Sequence, residues 1–190
     1  FECGGHPGMD DVPSLIVLPK AVKELGVPVI AAGGFCDGAS LIAALALGAE
    51  GVLMGTRFMA TAESPMHDNF KQWMVEAQET DTMVVERSIR NAARIMKNDA
   101  AMTVARMEKE GATLEDLLPV IAGRVGREAY LSGDINLGAI ACGQAVGRVH
   151  EIKSVAELMD EIIGDAREIV RRLEQVVSSW RLTTTSWITT

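Results

Sequence analysis

Apolar positions recur along the chain in two rhythms. From Leu15 to Leu25 they fall on one stripe at helical spacing, and Gly26 closes the run. Val27-Pro28-Val29-Ile30-Ala31-Ala32 is instead an unbroken apolar run that ends in Gly33-Gly34, the pattern of a buried parallel strand. Asp37 then stands where a helix cap belongs, and the next helix runs to about Leu47 and stops at Gly48. Gly51-Val52-Leu53-Met54 is a second buried strand, ending at Gly55-Thr56. Two apolar strands joined by a crossover helix make a parallel βαβ unit.

The rhythm changes after Pro65. His67 to Thr80 reads as an amphipathic helix and Met83 to Ile89 as a strand or extended segment. From Ala92 to Val149 the pattern predicts helices broken at Gly111, Gly123, Gly126, Gly133 and Gly138. Val155 to Val177 is a strong amphipathic helix with Ser154 as its cap and Glu157 in its first turn. The tail from Thr183 to Thr190 is Thr-rich and carries no helical pattern. The expected organisation is barrel-like α/β structure over 1–80, a mainly helical segment over 81–149, a C-terminal helix over 150–182 and an irregular tail over 183–190.

Composition narrows the class of protein. The chain is 48% hydrophobic and 23% charged, enough to bury a core and too apolar for disorder. A formal net charge of −8 argues against a general nucleic-acid-binding face. Cys3, Cys36 and Cys142 are an odd number and widely spaced, which argues against a disulfide framework and for a reducing, cytoplasmic setting. No apolar run reaches the ~20 residues of a membrane span. Phe1 opens directly onto a Gly-rich loop, which reads as a start inside a domain.

Chemistry concentrates at the strand ends. A phosphate needs several backbone N–H groups aimed at one spot, and glycine permits that approach. Gly33-Gly34 and Gly55-Thr56 end successive strands, the position of the phosphate site in many (β/α)8 barrels. Thr56 also brings a hydroxyl. Each turn alone is ordinary; the pair, one crossover apart, points to a phosphate cradle. The loop Gly4-Gly5-His6-Pro7-Gly8 supplies an imidazole able to exchange a proton near neutral pH, although a turn His without a task fits the loop as well. Asp10 and Asp11 read as solvated turn carboxylates, His67 as a surface residue and His150 as structural. Met54, Met59, Met66 and Met74 read as core filling, and Arg87, Arg90 and Arg94 as a solvent-facing helical row. No Cys/His spacing suits a metal, and none is expected.

Taken together, FECGGHPG, VPVIAAGGFCDG, ALALGAEGVLMGTRFMAT, RNAARIMKNDA and GREAYLSGDINLGAIACGQAVG resemble the nitronate monooxygenase (2-nitropropane dioxygenase) family. The loop GHPGMDD is most similar to members described as NADH:quinone reductases. The resemblance implies the C-terminal part of a TIM (β/α)8 barrel, with an added helical substrate subdomain and without the N-terminal strands. It implies a noncovalent FMN, contacted by Gly4 and Ala32 and held at its phosphate by Gly33, Gly34, Gly55 and Thr56. His6 takes the place of the family's active-site histidine. The implied reaction is oxidation of alkyl nitronates with oxygen; NADH-dependent quinone reduction on the same scaffold is the alternative. The partners are then small molecules, with no nucleic acid and no membrane, and the oligomeric state is open. Flavin-dependent enoyl-acyl-carrier-protein reductases share the Gly-Gly-His loop but fit less well beyond Phe58. A reading of another class is a barrel remnant that serves as an interaction module without catalysis.

Overall fold

A computed structural model of the chain describes residues 3–10 and 12–184, with backbone alone for 181–184. Helix α1 (Ser14–Glu24) precedes β1 (Ile30–Ala32), α2 (Gly38–Ala46) and β2 (Gly51–Leu53). β1 and β2 pair in parallel, Ile30 opposite Gly51 and Ala32 opposite Leu53, so both strands end at the same edge. The predicted βαβ unit is therefore present, although β1 starts three residues later than the apolar run. Asp37 caps α2 by accepting from the Ser40 N–H at 2.8 Å, and Ser40 Oγ accepts from the Asp37 N–H in return.

The expectation of fully buried strands fails. One face of the pair packs Leu18, Ala31, Ala44 and Ala49 between α1 and α2. On the other face Ile30 is 56% exposed and Leu53 61%. Two strands cannot curl far enough to cover their own second face. Among the described residues no further strand joins this sheet.

A short helix, α3 (Thr56–Met59), follows β2 directly, and α4 (Asp68–Glu76) comes next. The helix predicted from His67 to Thr80 is thus shorter, with exposed His67 as its cap. The segment after it is less helical than the pattern predicts. β3 (Thr82–Val85) and β4 (Ala93–Met96) form an antiparallel hairpin, Val85 opposite Ala93. β4 was expected to be helical; Arg94 therefore lies on a strand, where its guanidinium donates to Thr82 Oγ1. Helices α5 (Asp99–Lys109), α6 (Leu114–Ile121) and α7 (Gly123–Ser132) pack around the hairpin, with a 3-10 turn at Gln144–Arg148. Val85, Ile95, Val104 and Leu117 form one core; Phe70, Met74, Met96 and Ile140 form another.

The last helix, α8 (Val155–Thr184), is longer than predicted and takes in Thr183 and Thr184 of the expected irregular tail; residues 185–190 lie outside the described residues. Ser154 caps it, its Oγ accepting from the Glu157 N–H while its hydroxyl and N–H donate to the Glu157 carboxylate. Leu158, Ile162 and Ala166, four residues apart, bury one face. That face meets α2 at Gly38, where an added Cβ would lie 2.6 Å from the Ala166 nitrogen. None of the helices among the described residues is long and apolar enough to cross a membrane.

Candidate functional site

The paired strand ends bring the candidate residues together. Gly4, His6, Ala32, Gly33, Gly34, Gly55 and Thr56 all line one cavity of about 340 Å³, with Gly5, Phe35, Met59 and Ala141 among its other walls. Gly33 and Gly34 hold φ of +91° and +86°, which a side chain would strain. An added Cβ at Gly34 would also press on Cys3 Cβ at 2.9 Å. At Gly55 the same construction meets nothing within 4 Å. The wall at Gly55 is bare backbone facing open space, as a bound phosphate requires.

Thr56 is more committed than its sequence suggests. It is 8% exposed, and its Oγ1 accepts from the Gly143 N–H at 2.9 Å. Gly143 permits this approach, because a Cβ there would lie 2.7 Å from the Cys3 carbonyl oxygen. Neighbouring Cys142 has its thiol pushed up to about 12 by burial, with the Thr56 hydroxyl opposing. Cys36 is pushed up to about 11, first by burial and then by Asp37, with Arg148 and Arg57 opposing. Both stay protonated near neutral pH and are poor nucleophiles or metal ligands. Among the described residues no group of three His, Cys, Asp or Glu side chains could hold a metal ion.

The loop that carries His6 is fixed from two sides. The Arg94 N–H donates to the Gly5 carbonyl at 2.8 Å, and the Gln144 N–H donates to the Cys3 carbonyl at 2.8 Å. Pro7 is buried while His6 is exposed, so the imidazole stands on an anchored loop. His6 also borders a second cavity of about 340 Å³, whose walls include Glu86, Asn91, Ile95, Arg127 and Tyr130. His6 and Ala141 belong to both cavities.

Sequence reading does not find this second cavity. Glu86, Asn91, Arg127 and Tyr130 come from a hairpin tip and a helix 36 to 44 residues apart, and no local spacing marks them. The one local trace is backbone strain: Glu86 at φ +61° and Arg90 at +58° are positive without being glycine. Burial pushes the Glu86 carboxyl up; the Asn91 hydrogen bond opposes, Glu108 adds to the rise and His6 opposes. Burial also pushes the Tyr130 phenol up, with Cys142 adding to the rise, which keeps it a donor. Other expectations resolve simply. Met66 and Met74 are core, Met59 lines the first cavity, Asp10 and His150 are exposed, and Asp11 lies outside the described residues.

Fold and site together define an α/β protein with a glycine-walled ligand cavity at the carboxyl ends of parallel strands and a histidine on its rim. The sequence profile of the nitronate monooxygenase family matches residues 1–165, and the chain belongs to that family. A probable nitronate monooxygenase of Staphylococcus saprophyticus is 29% identical, across 90% of this chain and 50% of its own. A (3aS,4S,5R,7aS)-5-hydroxy-7a-methyl-1-oxo-octahydro-1H-indene-4-carboxyl-CoA dehydrogenase of Mycobacterium tuberculosis is 31% identical, across 87% and 57%. Among solved structures, FabK from Thermotoga maritima superposes with a TM-score of 0.84 at 35% identity, covering 92% of this chain and 55% of that one. The chain thus spans about half the length of the curated relatives it matches.

Proposed function

We propose that this chain is the C-terminal part of an FMN-dependent (β/α)8-barrel oxidoreductase that oxidises alkyl nitronates with oxygen. The observation that carries the reading is the meeting of His6 with the glycine cradle on one cavity wall. The cradle fits a flavin phosphate: Gly33 and Gly34 hold a turn that side chains would strain, and Gly55 leaves room where a side chain would intrude. Gly4 and Ala32 would flank the isoalloxazine. A bound flavin supplies the electron-accepting ring, and the protein supplies position and proton control. In this reading His6 donates a hydrogen bond to a nitronate oxygen beside the flavin, and the Tyr130 hydroxyl donates to a substrate oxygen in the adjoining cavity. The two strands present would be the last of the barrel, and the hairpin with α5 to α7 the substrate segment.

A second reading on the same scaffold is NADH-dependent quinone reduction. The carboxylate in the second cavity favours it, because an uncharged quinone meets no repulsion there. Both readings are tested with the full-length protein after FMN reconstitution. The preparation should be yellow, and anaerobic ethyl nitronate should bleach it while NADH does not. Bleaching by NADH alone selects the quinone reductase. A colourless protein that ignores added FMN rejects both and leaves an interaction module. His6→Asn should lower turnover by about 10²-fold, the range of a lost positioned hydrogen-bond donor, with FMN content unchanged. Unaltered turnover would remove His6 from the chemistry.

A further inference from the structure

The second cavity contains a charged group that the proposed reaction does not use. Glu86 is 6% exposed at the tip of the β3–β4 hairpin. Asn91 Nδ2 donates to its Oε2 at 2.6 Å. Oε1 receives no hydrogen bond from a described residue, and Glu86 is one of the side chains lining the cavity. The carboxylate is therefore half satisfied, on a residue of the cavity wall.

The fold keeps it there at a cost. Glu86 holds φ +61°, a left-handed conformation that strains a residue with a side chain. Three contacts hold that backbone. The Glu86 N–H donates to Glu108 Oε2 at 2.9 Å, the Ser88 N–H and hydroxyl donate to Glu108 Oε1, and the Asn91 N–H donates to the Glu86 carbonyl. A carboxylate anchored this way cannot swing out to water as an exposed glutamate does. β4 also bonds the His6 loop through Arg94 and Gly5, so Glu86 and His6 keep a fixed relation across the cavity.

We propose that Glu86 determines substrate specificity by charge, excluding from the second cavity molecules whose far end bears a carboxylate and accepting those whose far end offers an N–H or O–H to Oε1. The inference deepens the reading above, since it takes this cavity as the place of the substrate's tail. It selects alkyl nitronates with uncharged tails over those with carboxylated tails. A like charge brought against a buried carboxylate is disfavoured, whereas an N–H aimed at its free oxygen gains a charge-assisted bond. The charged or titratable groups facing Glu86 are His6 from the loop, Glu108 from α5, and Arg127 and Tyr130 from α7. Arg127 is exposed and His6 is at the rim, so neither forms a salt bridge with the carboxylate. Because burial raises the acid, exclusion is strongest on the alkaline side and relaxes as pH falls and Glu86 takes up a proton.

The test is a matched pair of unreactive probes, benzamide and benzoate, titrated calorimetrically into the full-length FMN-loaded protein. Near pH 8 the wild type should bind benzamide at least about tenfold tighter than benzoate, a modest like-charge penalty. Glu86→Gln should bring the two within about threefold, mainly by strengthening benzoate. Lowering the pH to about 5.5, where an ordinary carboxylate such as benzoate stays largely ionised, should narrow the wild-type ratio. Glu86→Gln should lose that narrowing apart from any part that His6→Asn also removes. Equal binding of the two probes by the wild type near pH 8 overturns the proposal without any variant. So does a ratio that Glu86→Gln leaves unchanged, or binding of neither probe. Failure of nitronate to bleach the flavin, with the probe ratio as expected, would reject the reaction and keep the charge filter.

Discussion

Gly33, Gly34 and Gly55 are all glycine for different reasons, and the difference can be measured. The first two hold positive φ, so side chains there disturb the fold itself. Gly55 has φ −87° with open space beyond it, so Gly55→Val should fold normally and fail at the cradle. Flavin absorbance per protein should drop sharply in the full-length variant, while its thermal midpoint without cofactor stays within about 1 kcal/mol of wild type in stability terms. Retained flavin would count against the cradle. Glu86 gives a second residue-scale expectation. Its carboxyl is raised in the folded state above the unfolded value of about 4.3, so folding takes up a proton. Its contribution is therefore most unfavourable above the folded value and is relieved as pH falls towards the unfolded one. Glu86→Gln should stabilise the protein near pH 8 and lose that advantage near pH 5 in paired urea melts. A gain independent of pH would remove the carboxyl's charge as the cause.

At the scale of elements, local signals and tertiary ones divide cleanly. The βαβ unit, the Asp37 and Ser154 caps and the two glycine-bearing strand ends were legible because each is written within a few residues. Ala32, Gly33, Gly34, Gly55 and Thr56 come together because parallel pairing in register places both strand ends side by side, and bonds from Arg94 and Gln144 bring the loop of Gly4 and His6 to them. β4 was not legible: Ala-Arg-Ile-Met is too short and too weakly β-branched, and only pairing with β3 makes it a strand. The second cavity was hidden for the same reason, being assembled by the hairpin tip and α7. The α2–α8 contact likewise depends on one residue with no local mark. Gly38→Ala would put a Cβ against Asp165 Cβ and the Ile162 carbonyl oxygen, at 2.6 and 2.7 Å. It should cost about 1–3 kcal/mol by forcing the helices apart, seen as a lower urea midpoint. An unchanged midpoint would mean that α8 docks loosely.

For the whole molecule, the uncovered side of the strand pair matters most. Ile30 and Leu53 are each more than half exposed, and the curated relatives are about twice as long. The isolated chain should therefore self-associate in size-exclusion runs, and Ile30→Thr with Leu53→Thr should reduce that tendency. Monomeric behaviour of the unaltered chain would show that this face needs no cover. The bonds around residues 143 and 144 carry a different consequence. Two successive backbone N–H groups, of Gly143 and Gln144, join Thr56, in the cradle, to Cys3, at the root of the His6 loop. Occupancy of the cradle and order in the loop are then thermodynamically linked, and the link works in both directions. Under the proposed function the molecule should fill in sequence: cofactor first, which quiets the loop, and substrate second, onto a histidine already held still. Slower amide exchange at Gln144 and Arg94 on adding FMN alone would register that order, and a substrate bound without cofactor should hold more weakly by the same factor.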